Sequence, residues 1–327
     1  MLVDFLKGIS LSKLMSVILI GLICWVPFFF SPINISFDYA IPLIRDFLPD
    51  YLNSHAYYGN IMVIMLVGIQ SLYIIRLNYK YILLNQRTYL PALISTLLSI
   101  FFSINQNIIG ILTINLFWMF CIDILFNQTG TKLNLKSYFK IGILLAISSF
   151  FFWPAAILIP IVWFISFSIN SQNLRGLFSV LIGFFVIWLF YFYISYFIDD
   201  TTSITAFFSG LINHRDINET NINLVVFICP LLFILMGLIS TLSSLRKQKI
   251  IIRKYYLSFL LFFLIIPIVS IWLYFIPFIF IYLIIVPASF FGTHYLLYSK
   301  NKWIKNIVFL IFLGGIAIFW IFKLSMM

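Results

Sequence analysis

Charge is scarce in this sequence. Nine of its 327 residues are acidic and 20 are basic, so charged residues make up 9%, against about 25% in a soluble domain. A chain so poor in charge lacks the polar surface of a soluble fold of this length, and its mean hydropathy of +1.12 excludes an ordinary soluble enzyme. Cysteine is scarce as well. Cys24, Cys121 and Cys229 are far apart and form no CxxC pair, which excludes a zinc ribbon and leaves three small apolar residues. There is no HExxH, GxSxG, P-loop or DxD pattern. No A-x-A-like site follows the first apolar run, so that run is expected to be an uncleaved span and not a signal peptide. No soluble module, low-complexity linker or internal repeat stands out, and residues 1–327 are expected to form a single integral-membrane domain.

What is present is apolar. Hydrophobic residues are 63% of the chain and aromatics 20%, with 39 phenylalanines. Apolar runs of about 18 residues or more recur, long enough to cross ~30 Å of hydrocarbon. In lipid every backbone group must bond internally, so these runs are expected to be helices. The expected fold is all-α: a polytopic transmembrane bundle of about eleven spans, near 14–31, 59–75, 89–104, 107–126, 138–152, 154–170, 177–198, 222–243, 255–271, 275–297 and 304–323. The third, fifth and sixth are short. A sharp turn is expected at Trp153-Pro154, and Pro160, Pro230, Pro267, Pro277 and Pro287 predict kinks.

The charges sort by side. With the N-terminus cytoplasmic, 17 of the 20 basic residues fall in inner segments, and only Arg45, Arg215 and Lys323 fall outside. The run LRKQKIIIRK (245–254) is the strongest anchor, a loop near anionic headgroups. A net charge of +11 distributed this way, with no soluble module, excludes nucleic acid as a partner and leaves membrane lipids. Seven of the nine acids lie outside: Asp38, Asp46, Asp50, Asp199, Asp200, Asp216 and Glu219. Two outer loops, 32–58 and 199–221, carry them, together with His55 and His214.

In the first loop Phe37, Ile41, Ile44 and Leu48 recur at helical spacing, which predicts an amphipathic helix on the membrane surface. Pro42 suits its first turn and Pro49 is expected to end it. Arg45 and Asp46 point away from the apolar face and Asp50 follows the stop. The segment reads either as a connector with solvated charges or as a helix presenting a carboxylate to an outward cavity. In the second loop His214, Asp216 and Glu219 suit Mg²⁺ or Mn²⁺, and Arg215 suits a phosphate; a solvated loop is the alternative.

Asp123, near the inner end of its span and close to Lys132, is expected to snorkel or pair. Asn105, Gln106 and Asn107 form a polar hairpin tip, and Thr113 and Asn115 follow as interhelical glue or as the lining of a polar cavity. His294 reads as a packed, hydrogen-bonded residue or as a proton relay.

Three stretches then resemble a known family in this order: QRTYLPALISTLLSIFFS (86–103), YFKIGILLAISSFFFWPAAILIPIVWF (138–164) and NLRGLFSVLIGFFVIWLFYFYI (173–194). They are similar to uncharacterised polytopic inner-membrane proteins of Bacteroidota, in which a TLPAL span opening, a GxxxGxxxLFYFP hairpin and a REWxxPLxGLxxP span entry recur. Here the hairpin motif reads GILLAISSFFFWP, without its second glycine, and the last keeps Arg175 but has Gly176-Leu177 for Glu-Trp. The resemblance implies a bundle in the bacterial inner membrane and no particular reaction.

The order of parts is also similar to GT-C glycosyltransferases: inner N-terminus, first span, acidic outer loop with a surface helix, then short and broken spans. That resemblance implies a polyprenyl-phosphate sugar as donor and a first-loop aspartate acting at the acceptor, often with a metal such as Mg or Mn. Asp38, Asp46 and Asp50 are then the candidate catalytic acids. Arg45, Arg215, His55 and His214 are candidate substrate contacts, and Asp216 and Glu219 candidate metal ligands. This loop departs from the pattern in having no adjacent acids. Two alternatives stand beside it: a non-catalytic component of an envelope assembly or export machine, docking through its outer loops, and a transporter or flippase built on proline-broken spans.

Overall fold

The computed structural model describes residues 8, 10–30, 36, 40–53, 56–101, 103, 107–129, 134–169, 174–197, 224–272, 280–299 and 301–325. They are helical, with no strand among the described residues. The helices are α1 (Leu11–Phe29), α2 (Pro42–Asn53), α3 (Ala56–Tyr81), α4 (Leu90–Ile100), α5 (Ile108–Asn127), α6 (Leu135–Phe151), α7 (Leu158–Ile169), α8 (Leu174–Phe197), α9 (Leu224–Ser244), α10 (Ile250–Trp272), α11 (Ile285–Tyr298) and α12 (Lys302–Ser325). Among the described residues, seven stretches are long and apolar enough to cross a membrane: Leu11–Phe29, Tyr57–Tyr81, Ile108–Asn127, Leu174–Phe197, Cys229–Lys247, Ile250–Val269 and Trp303–Ile321. Shorter apolar helices occupy Leu90–Ile100, Trp153–Ile169 and Tyr282–Tyr298. The protein is an all-α membrane protein.

Each expected span coincides with a described helix in whole or in part, but the ends differ. The span expected at 59–75 is a helix over Ala56–Tyr81. Apolarity stops at Arg76, while the backbone ladder continues, because Arg76 lies over the Tyr73 ring at 5.5 Å and Lys80 reaches Asp123. Long basic side chains fold their stems along the helix and keep the turn intact. Pro49 does not end α2 as expected; the helix runs through it to Asn53. A proline here removes one backbone hydrogen bond, and burial of Leu52 beyond it holds the last turn in place. The Trp153-Pro154 turn forms as expected. Phe152 is extended (φ −160°, ψ 96°) and a 3-10 turn over Trp153–Ile157 leads into α7.

A facing pair of glycines sets the closest packing among the described helices. On α6, a Cβ at Gly142 would fall on the Val180 carbonyl of α8, and on α8 a Cβ at Gly183 would fall on the Phe139 carbonyl of α6. Small residues let helix backbones meet where no hydrophobic drive separates them from lipid. Aromatic stacking fills the rest of the core, with Trp118 on Phe262 at 4.4 Å and Phe259 on Phe290 at 5.2 Å.

Hydrogen bonds sort the described helix ends into two groups. One end is basic: Tyr298 Oη donates to the Leu84 carbonyl (2.6 Å), Lys254 Nζ to the Ile169 carbonyl (2.9 Å), and Thr129 meets Tyr255 (2.7 Å). At the far end, Ile41 N donates to the Phe150 carbonyl (2.9 Å) and Asn60 Nδ2 to the Phe28 carbonyl (3.0 Å).

Candidate functional site

At the far end, the first expected loop begins and ends at one place. Asn60, in the second turn of α3, holds the last turn of α1 by its bond to Phe28. Between them α2 folds back on the bundle. Ile41 and Leu52 are buried, and Ile44 and Leu48 are half-buried against the core. The apolar face read from the spacing therefore exists, but it packs on protein instead of on the membrane surface. Asp50 is exposed and Arg45 half-buried on the same helix, and Asp46 also falls in it. Asp38, His55, His214, Arg215, Asp216 and Glu219 lie outside the described residues, as do Asp199, Asp200 and Lys132. Of the expected site, the described residues thus bring together Arg45, Asp46 and Asp50 on one helix. No group of three His, Cys, Asp or Glu able to hold a metal occurs among the described residues.

The sequence treated Lys323 only as an exception to the charge rule. The structure buries it, at 6% exposure, in the last turns of α12. Its Nζ donates to the Ser103 carbonyl at 3.0 Å, and it lies 4.9 Å from the Phe28 ring centre and 5.1 Å from that of Trp320. Trp320 in turn donates from Nε1 to the Cys24 carbonyl (2.9 Å), which fixes α12 against α1. The signal was available: an ionisable residue inside an apolar segment is a functional candidate by default.

At the basic end Asp123 is paired, as expected, but its partner is Lys80 of α3 at 2.8 Å. Tyr81 donates to the same oxygen, Oδ1, at 2.6 Å and Tyr73 to Oδ2 at 2.9 Å. Both carboxylate oxygens accept, so the group holds α3 to α5. Deeper between these helices, Gln70 donates to the Leu112 carbonyl (2.6 Å), while its Oε1 accepts from Asn115 Nδ2 (3.3 Å) and Tyr282 Oη (3.4 Å). Asn115 is interhelical glue. Thr113 instead bonds its own helix, at the Ile109 carbonyl.

His294 on α11 is packed and bonded at both nitrogens. Ser244 Oγ donates to the Thr241 carbonyl (2.9 Å), so it accepts from His294 Nε2–H (2.9 Å), and Nδ1 then accepts from the Ser240 hydroxyl (3.1 Å). The ring ties α11 to two turns of α9. The three cysteines are free, each in its own helix.

These features define a polytopic helical membrane protein with a buried lysine at one end and a paired carboxylate near the other. The chain belongs to a family of unknown function, DUF6427, whose model matches residues 39–327. No curated protein and no solved structure matches it.

Proposed function

We propose that the protein is a GT-C-like transferase of the bacterial inner membrane, threaded eleven times with its N-terminus in the cytoplasm. It would take a sugar from a polyprenyl-phosphate carrier at the outer face. The observation that supports this reading is the placement of α2. The helix of the first acidic loop folds onto the bundle at the end opposite the basic one, with Asp50 exposed there. A short acidic helix inserted between the first and second spans, and held by protein contacts, suits a group that works at the outer membrane surface.

In the proposed step a carboxylate of that loop, Asp38, Asp46 or Asp50, takes the proton of an acceptor hydroxyl. The oxygen attacks the anomeric carbon of the donor sugar. The bond from that carbon to the phosphate oxygen breaks, and polyprenyl phosphate leaves with the electron pair. Arg45 and Arg215 are the cations proposed to meet its growing charge.

The test is mass spectrometry of lipid-linked sugars and envelope glycans in the host, in a deletion strain, and in the deletion complemented with Asp38→Asn, Asp46→Asn or Asp50→Asn. Accumulation of a polyprenyl-phosphate sugar in the deletion, uncleared by one Asn variant present at normal level, is the expected result. Unchanged carriers and glycans would overturn the reading and turn the search toward a protein partner of the outer loops.

A further inference from the structure

Lysine near the end of a membrane helix usually extends its amine along the helix toward water. Lys323 does the opposite. It lies in the last turn of a 24-residue helix, yet it turns inward and is buried. A buried lysine amine either gives up its proton or, kept as a cation, requires compensation by an anion or by several oriented dipoles. Among the described residues, its contacts are one carbonyl, that of Ser103, and the faces of Phe28 and Trp320. One N–H of the three is thereby used.

A second observation falls on the same residue that accepts from the lysine. Ser103 is fully buried and its Oγ has no hydrogen-bond partner. A hydroxyl in such a place costs free energy unless something enters to bond it. Ser103 thus carries both the carbonyl that accepts from Lys323 and a buried O–H without a partner, and the lysine lies against two aromatic rings. An uncharged ligand would leave the cation uncompensated. A phosphate ester at the headgroup level of the bilayer answers both donors and the charge, because its oxygens accept several hydrogen bonds at once.

We infer that Lys323 and Ser103 form a binding site for a lipid-borne phosphate at the far end of the bundle. In terms of the proposed transfer reaction, on which its assignment to the donor rests, this is the carrier's phosphate. The phosphate would sit beside the last turn of α1, from which the loop with Asp38 departs.

The experiment is native mass spectrometry of the full chain in detergent, titrated in separate arms with undecaprenyl phosphate, phosphatidylglycerol and inorganic phosphate. The native chain is expected to bind undecaprenyl phosphate. Lys323→Met should weaken it roughly tenfold to a hundredfold, the range for losing a hydrogen bond to a charged group. Ser103→Ala should weaken it by a smaller factor, and Lys323→Arg should retain it. Binding unchanged in both Lys323→Met and Ser103→Ala overturns the inference. If Lys323→Met does not fold, Ser103→Ala decides alone, since it leaves the lysine's carbonyl bond in place.

Equal, Lys323-dependent binding of phosphatidylglycerol keeps the phosphate site and removes its assignment to a polyprenyl donor. Binding of inorganic phosphate alone overturns the lipid assignment. Lys323-dependent binding with unchanged glycans in the deletion strain sinks the transfer reading and leaves the site. Altered glycans without Lys323-dependent binding do the reverse.

Discussion

The hydroxyl of Tyr81 lies 2.6 Å from Asp123 Oδ1, and the Lys80 amine reaches the same oxygen at 2.8 Å. Two consecutive residues of α3 thus converge on one carboxylate oxygen of α5. Tyr73 takes the other oxygen, so the carboxylate is bonded on every side that faces α3.

Asp123→Asn should therefore destabilise the protein more than Lys80→Met. Asparagine keeps the shape but replaces one accepting oxygen by an NH₂ that opposes the donors, at a cost of about 1–3 kcal/mol. Lys80 is 37% exposed, and removing a solvent-screened cation costs about 0–1 kcal/mol. Thermal unfolding in detergent, followed by intrinsic fluorescence, checks the order. Equal losses would refute the special place of the carboxylate.

Gln70→Leu is expected to cost more than Asn115→Leu. Gln70 serves the Leu112 carbonyl, Asn115 and Tyr282, and its loss removes three bonds and leaves the buried Asn115 amide unanswered. Asn115 gives one bond, and its Oδ1 has no partner to lose. Each unanswered group costs about 1–3 kcal/mol. The same unfolding measurement decides, and the reverse order would show that Gln70 is not the centre of the cluster.

Gly142→Ala and Gly183→Ala should each separate α6 from α8, since the new methyl would meet backbone that no rotamer can move. Overpacking of this kind costs about 1–3 kcal/mol. Gly68→Ala and Gly314→Ala, where a Cβ meets nothing within 4 Å, should be neutral or slightly stabilising. The yield of monodisperse protein on size exclusion reads out the contrast, which disappears if the close approach is not real.

The proposed threading puts Asp50 and Lys247 on opposite sides of the membrane. In a background with Cys24, Cys121 and Cys229 replaced, Asp50→Cys should react with an impermeant maleimide in intact spheroplasts. Lys247→Cys should react only after permeabilisation. Labelling of both from one side would break the proposed topology.

Much of the helical layout was legible in the sequence, because hydrocarbon leaves the backbone few choices. Two of the three short stretches, 89–104 and 154–170, correspond to short apolar helices, and the turn at Trp153 was readable too; the third short apolar helix, Tyr282–Tyr298, falls where a longer span is expected. Helix ends were less legible. Hydropathy drops at Arg76, but hydrogen bonding does not, and the partner that lets Lys80 stay on the helix, Asp123, is over forty residues away in the chain. Pro49 misled because a local rule was applied to a helix held by tertiary contacts at Leu52. In the sequence Lys323 stands out only as a charge on the unexpected side. Its burial depends on Phe28, Ser103 and Trp320 meeting from three separate segments, and no spacing along the chain encodes that meeting.

The glycine contact between α6 and α8 has a mechanical consequence. Where two backbones touch directly, neither has side-chain freedom to absorb a displacement, and the pair behaves as one stiff plate. Prolines interrupt helix interiors elsewhere, at Pro27 of α1, Pro230 of α9 and Pro267 of α10. One of these helices, α1, ends against the rings that enclose Lys323, so flexing it alters the walls of that enclosure while the plate stands still.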